Sequence, residues 1–153
     1  MIMTKTLEKY SKNWNFMDER GVFPPINNEN FPAGFFSIIG LFSEDANYNL
    51  KDCYVEDDKL FINGCSNEKQ NAFMLRYNYG EENCLVVAKV EFIHKRKGKM
   101  TELYRILKLI QRKYNTGPIV IECVNTEAMR EWCTKNGFKE HETIKRNYIQ
   151  TKI

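Results

Sequence analysis

A strand that runs straight into a basic loop and then a helix leaves few folds open, and residues 84–114 hold that arrangement. Residues 84–92 (CLVVAKVEF) form an apolar run broken only by Lys89 and Glu91. Such a run reads as a strand buried on much of both faces. The loop that follows reads His94-Lys95-Arg96-Lys97-Gly98-Lys99-Met100-Thr101. Leu103, Ile106, Leu107, Ile110 and Tyr114 then recur at helical spacing, with Glu102, Arg105, Lys108, Gln111 and Arg112 on the other side. Thr101 is placed to cap this helix, and Glu102 sits at the positive end of its dipole. A helix start offers unpaired backbone N–H groups to an anion, and Gly98 lets a phosphate come close to the backbone. The stretch reads as a phosphate or pyrophosphate cradle. The alternative is a solvated basic turn, and a single Gly after a strand does not decide between them.

The order of the neighbouring segments adds to this. Residues 119–124 (IVIECV) are a second apolar strand, after Gly117-Pro118. A short helix is expected over 126–136, then Gly137-Phe138, then two short strands over 138–141 and 145–153. Upstream, residues 51–56 and 59–63 flank Asp57-Asp58 as a hairpin. Residues 72–79 alternate as a strand, and Gly80-Glu81-Glu82-Asn83 turns it back into residue 84. Residues 35–42 (FFSIIGLF) are a strand or a buried helical turn, because periodicity cannot separate the two at this length. Residues 1–18 begin with a short helix, and residues 21–34, holding Pro24, Pro25 and Pro32, form a long loop. The expected fold is α/β with a mixed sheet. Its early strands are antiparallel and its later part runs strand–helix–strand–helix.

Composition narrows the class. One domain suits 153 residues. The formal net charge of +3 argues against a heavily basic nucleic-acid arm but leaves room for a local anion site. No apolar run reaches the ~20 residues of a membrane span, and the N-terminus lacks a signal-peptide core. Cys53, Cys65, Cys84, Cys123 and Cys133 are odd in number and widely spaced, with only His94 and His141 to join them. That pattern argues against a zinc site and for reduced thiols in a cytoplasmic protein.

The motifs over residues 84–148 resemble those of the GNAT superfamily of N-acetyltransferases. In that family a strand leads into an Arg/Gln-x-x-Gly-x-Gly/Ala loop that binds the pyrophosphate of acetyl-CoA. Here Lys95 stands at the first position, Gly98 at the first glycine and Met100 at the final small residue. The later Asn-x-x-Ala and Phe-Tyr-x-x-x-Gly-Phe patterns correspond to Asn125-Thr126-Glu127-Ala128 and Trp132-Cys133-Thr134-Lys135-Asn136-Gly137-Phe138. The resemblance implies one GNAT-like domain whose sheet is splayed between its fourth and fifth strands, with acetyl-CoA entering the splay. It also implies acetyl transfer to an amine by direct attack in a ternary complex, without metal. The chain is expected to act as a monomer or homodimer, away from membranes.

The same resemblance assigns roles. Val90 and Phe92 stand where the strand backbone pairs with pantetheine and polarises the thioester carbonyl. Lys95, Arg96, Lys97, Gly98, Lys99, Met100 and Thr101 would hold the pyrophosphate. Asn125 stands where an Asn contacts CoA, although counting from Gly137 shifts that place to Thr126, and helix capping is its other reading. Glu122 is the candidate base or, equally, an outward Glu in a salt bridge. Cys133 occupies the place of a Tyr general acid, and packing against Ala128, Met129 and Trp132 is the favoured reading of it. Tyr148 is the candidate replacement acid. Residues 21–34, with Phe23, Phe31 and Phe35, are a candidate acceptor wall. Two rivals remain open at this point. One is a GNAT-like module that holds CoA or a partner protein without turnover. The other is a nucleic-acid binder using residues 94–99, which the lack of aromatics interleaved with those bases argues against.

Overall fold

A computed structural model describes residues 34–95 and 98–152. The expected helix within residues 1–18, nearly all of the 21–34 loop with Phe23 and Phe31, and Arg96 and Lys97 of the cradle lie outside the described residues.

Helix α1 (Phe35–Asp45) leads into four antiparallel strands, β1 (Leu50–Glu56), β2 (Lys59–Ser66), β3 (Lys69–Tyr79) and β4 (Cys84–Glu91). Helix α2 (Lys99–Tyr114) crosses to β5 (Ile119–Ile121), which lies parallel to β4. Helix α3 (Glu127–Lys135), β6 (Phe138–Glu140) and β7 (Tyr148–Gln150) complete a seven-stranded sheet in the order β1-β2-β3-β4-β5-β7-β6. The mixed sheet expected from the sequence is the one observed.

Local chemistry explains the antiparallel half. Asp57 and Asp58 both take positive φ (48° and 59°), as do Asn67 and Glu68 (51° and 67°). Two such residues in succession twist a two-residue turn to match the strands it joins. β3 buries Asn71, Phe73, Leu75 and Tyr77 and leaves Ala72, Met74 and Arg76 partly exposed. That alternation turns one face of the sheet toward α1 and α2.

The core sits on that face. Phe35, Ile38, Ile39, Leu41 and Phe42 of α1 meet Leu60, Ile62, Phe73 and Leu75 of the sheet and Leu103, Ile106 and Ile110 of α2. Burying each such side chain stabilises the fold by roughly 1.5–3 kcal/mol. Phe42 stacks on Phe92 with centroids 4.7 Å apart and planes at 11°. The 35–42 stretch, ambiguous in sequence, is therefore helix, extended to Asp45, because it packs along a sheet face rather than within the sheet.

Three local expectations are corrected. Thr101 does not cap α2, which begins at Lys99 after Gly98 and has no side-chain cap. The Thr101 hydroxyl instead accepts from Trp132 Nε1 at 3.1 Å. The second apolar strand stops at Ile121, since Cys123 takes φ +56° and the Val124 N–H donates to the Arg146 carbonyl. Phe35 is not a surface wall, because it is fully buried and packs edge-on against Tyr77 at 5.1 Å.

Candidate functional site

The sheet opens between β4 and β5. Parallel pairing covers only Leu85–Ile119, Val86–Val120 and Val87–Ile121, and a last bond runs from the Glu122 N–H to the Val87 carbonyl at 2.9 Å. Beyond it, the Cys123 turn carries the β5 strand end toward residue 146. β4 continues alone beside β3, pairing Lys89 with Met74, Val90 with Phe73 and Glu91 with Ala72. Leu75 pairs with Val87, so Ala88 is an extra residue, a β-bulge at the point of separation. Among the described residues no strand covers residues 88–91 on the β5 side. A chain lying there would find open backbone groups.

The end of β4 is anchored by a residue that the sequence reading missed. Asp45, at the C-terminus of α1, is 1 % exposed. Its carboxylate accepts from the Ile93 N–H at 2.7 Å, the His94 N–H at 2.9 Å and the Asn71 amide at 2.9 Å, and it lies 3.2 Å from His94 Nδ1. Burial pushes this carboxyl up, but the Asn71, His94 and Ile93 hydrogen bonds outweigh it and hold it below the usual carboxylate range. A negative charge at a helix C-terminus is unfavourable for the dipole. These four donors offset that and tie α1 and β3 to the root of the basic loop.

The loop then enters α2 through Gly98, at φ +72°, and among the described residues, its chain neighbours aside, no heavy atom lies within 4 Å of where a Cβ would stand. The first helical bond runs from the Glu102 N–H to the Gly98 carbonyl. The N–H groups of Lys99, Met100 and Thr101 precede it and have no intrahelical acceptor. Lys95 is exposed, and Lys99 Nζ lies 3.9 Å from Glu44.

The remaining candidates divide. Glu122 stands just past β5 and is ion-paired with Arg76 of β3, whose guanidinium also lies 4.5 Å over the Tyr79 ring. Cys133 has no exposed surface, and burial pushes its thiol up to about 12. Tyr148 opens β7 directly across from Ile121, where the β4–β5 pairing ends, and is 7 % exposed. Directly paired residues share a face, so Tyr148 lies on the face of Ile121. Asn125 Oδ1 accepts from Arg146 Nη1 at 3.3 Å, while Thr126 caps α3 by accepting from the Met129 N–H at 3.2 Å. Val90 is partly buried, and the Phe92 ring lies in the core. The residues gathered at one end of the sheet are therefore Val87, Ala88, Glu122, Tyr148 and the start of α2.

The chain is similar to two solved acetyltransferases. One is an acetyltransferase of the GNAT family from Staphylococcus aureus Mu50. It is 11% identical, with 95% of this chain and 91% of that one covered and a TM-score of 0.43. The other is the PaiA N-acetyltransferase from Thermoplasma acidophilum in complex with coenzyme A. It is 13% identical, with 96% and 89% covered and a TM-score of 0.43. No family model and no curated protein matches the chain. Among the described residues no group of three or more His, Cys, Asp and Glu is placed to hold a metal ion, and no helix is long and apolar enough to cross a membrane.

Proposed function

We propose that the protein is an acetyl-CoA-dependent N-acetyltransferase of the GNAT type, acting by direct attack of an amine on the thioester. The observation that carries this reading is the coincidence of three features at one sheet end. They are the bulged, uncovered β4 segment after Val87, the splay from β5, and an uncapped helix start preceded by a basic loop. A pantetheine arm can pair with the backbone of residues 88–92 while the pyrophosphate meets the N–H groups of Lys99, Met100 and Thr101. Lys95 adds charge from the described part of the loop, and Arg96, Lys97 and Gly98 complete it. Backbone N–H groups aimed at the thioester oxygen supply the polarisation, and Phe92 contributes through its backbone because its ring is committed to the core.

Tyr148 is the proton donor to the departing thiolate in this proposal. Its place at the mouth of the splay supports that role, and the full burial of Cys133 argues against a thiol donor. Glu122, with Arg76, borders the same opening and accepts the amine proton either directly or through water. Asn125 neighbours the turn at its rim. The acceptor is an amine, on a small molecule, a protein N-terminus or a lysine. Five free cysteines support a reducing, cytoplasmic setting.

A second reading has its own observation. A buried Cys133 at the family's usual Tyr position favours a module that binds CoA without turnover. Release of free CoA from acetyl-CoA across a panel of amines separates the two. Turnover with Tyr148→Phe reduced roughly 10²-fold in kcat at unchanged melting temperature supports catalysis. CoA binding with no turnover of any amine favours the module, and absence of CoA binding overturns both.

A further inference from the structure

Toward the C-terminal half of α2, away from the basic loop, lies a cavity of about 680 Å³. The polarity of its floor can be worked out from one fixed group. The Gly117 carbonyl can only accept, and it takes an N–H from Gln111 Nε2 at 2.9 Å. That orients the Gln111 amide, whose Nε2 also donates to Gln150 Oε1 at 2.7 Å. The Ile119 N–H donates to the same oxygen at 3.1 Å. Gln150 Nε2 therefore faces Tyr104 and donates to its phenol oxygen at 3.0 Å. The Tyr104 proton is left with no acceptor among the described residues. Tyr104 is 8 % exposed and lines the cavity. A hydroxyl proton that no described residue accepts is free to be given to a ligand oxygen in place of water.

The rim has one sign of charge. Lys108, Arg112 and Lys152 line the cavity, and among the described residues no carboxylate does. Lys108 Nζ is held 4.5 Å over the Tyr104 ring. Three cations around a leftover O–H donor call for an anion rich in acceptor oxygens. A phosphate group offers three oxygens and close to two charges. The volume falls in the range of small-molecule sites and exceeds what a bare phosphate fills. We propose that this cavity is a second ligand site, taking a small organic phosphate ester, separate from the 95–101 cradle and independent of the acetyltransferase reading.

The probe is adenosine monophosphate, titrated into the full chain and followed by amide ¹⁵N–¹H correlation spectra. Saturable shifts are expected at Lys108, Gln111, Arg112, Thr116 and Thr151. Arg112→Glu and Lys152→Glu, both at exposed positions, should each weaken the affinity roughly tenfold by reversing a charge. Tyr104→Phe, which removes only the hydroxyl, should weaken it severalfold with the spectrum otherwise preserved. Shifts confined to residues 98–101, an affinity that both charge reversals leave unchanged, or no saturable shift at millimolar probe would each overturn the proposal.

Discussion

Cys133 shows how burial sets chemistry at a single residue. It sits in the core cluster with Tyr104, Phe138 and Tyr148, so Cys133→Ala should lower stability by roughly 1–2 kcal/mol in urea unfolding. Turnover should fall less than about tenfold, short of what loss of a general acid brings. With its thiol at about 12, Cys133 should resist alkylation at neutral pH in the native protein, whereas exposed Cys123 should react first. Mapping the modified cysteines by mass spectrometry checks this, and rapid native labelling of Cys133 would contradict its burial. Asp45 is the converse case, a buried group kept charged by its partners. Because its folded carboxyl lies below the ordinary 3.8, its contribution is present above that value and is lost as pH falls through the lowered one. Asp45→Ala should cost roughly 2–4 kcal/mol near neutral pH, since hydrogen bonds to a charged acceptor are lost and the part-buried N–H groups of Ile93 and His94 lose their partner. The gap between wild type and variant, read from unfolding curves at a series of pH values, should narrow below pH 3.8. A gap independent of pH would show that the charge is not what matters.

At the scale of elements, the two later helices start in opposite ways. α3 is closed by the Thr126 hydroxyl, and Thr126→Ala should cost about 1 kcal/mol in melting experiments. α2 has no side-chain cap and begins at a left-handed Gly98 with open space beside it. Gly98→Glu introduces an L-residue at positive φ, a strain of about 1–2 kcal/mol. Its Cβ would meet none of the described residues beyond its chain neighbours, so the fold should survive. The added carboxylate would stand where an anion is expected, and CoA affinity by calorimetry should drop by far more than tenfold with circular dichroism unchanged. Undiminished affinity would remove the helix start from the cofactor site.

Across the whole molecule, the parallel seam depends on one close approach. A Cβ on Gly117 would lie 2.2 Å from the Glu82 carbonyl oxygen, and the Gly117 N–H already donates to the Asn83 carbonyl at 3.2 Å. The entry to β5 is thus pressed against the β3–β4 turn, backbone to backbone, which sets the register of β4 on β5 and so where the splay begins. Gly117→Ala must push these segments apart and should cost roughly 1–3 kcal/mol or more. A melting temperature equal to wild type would mean that the seam yields without penalty.

The sequence by itself determined the elements whose signal is local. The Asp57-Asp58 turn, the alternation of β3, the apolar stripe of α2 and the basic loop before it can all be read within a window of a few residues, because periodicity records which face is buried. The mixed sheet follows from their order. Tertiary structure decided whatever depends on a distant partner. Residues 35–42 are helical because a sheet face needed covering. β5 ends at Ile121 because Arg146, 22 residues past Val124 in the chain, offers its carbonyl to the Val124 N–H. Asp45 reaches His94 across 49 positions and Arg76 reaches Glu122 across 46. No local pattern records such pairings, since they exist only once strand register has placed the two residues side by side.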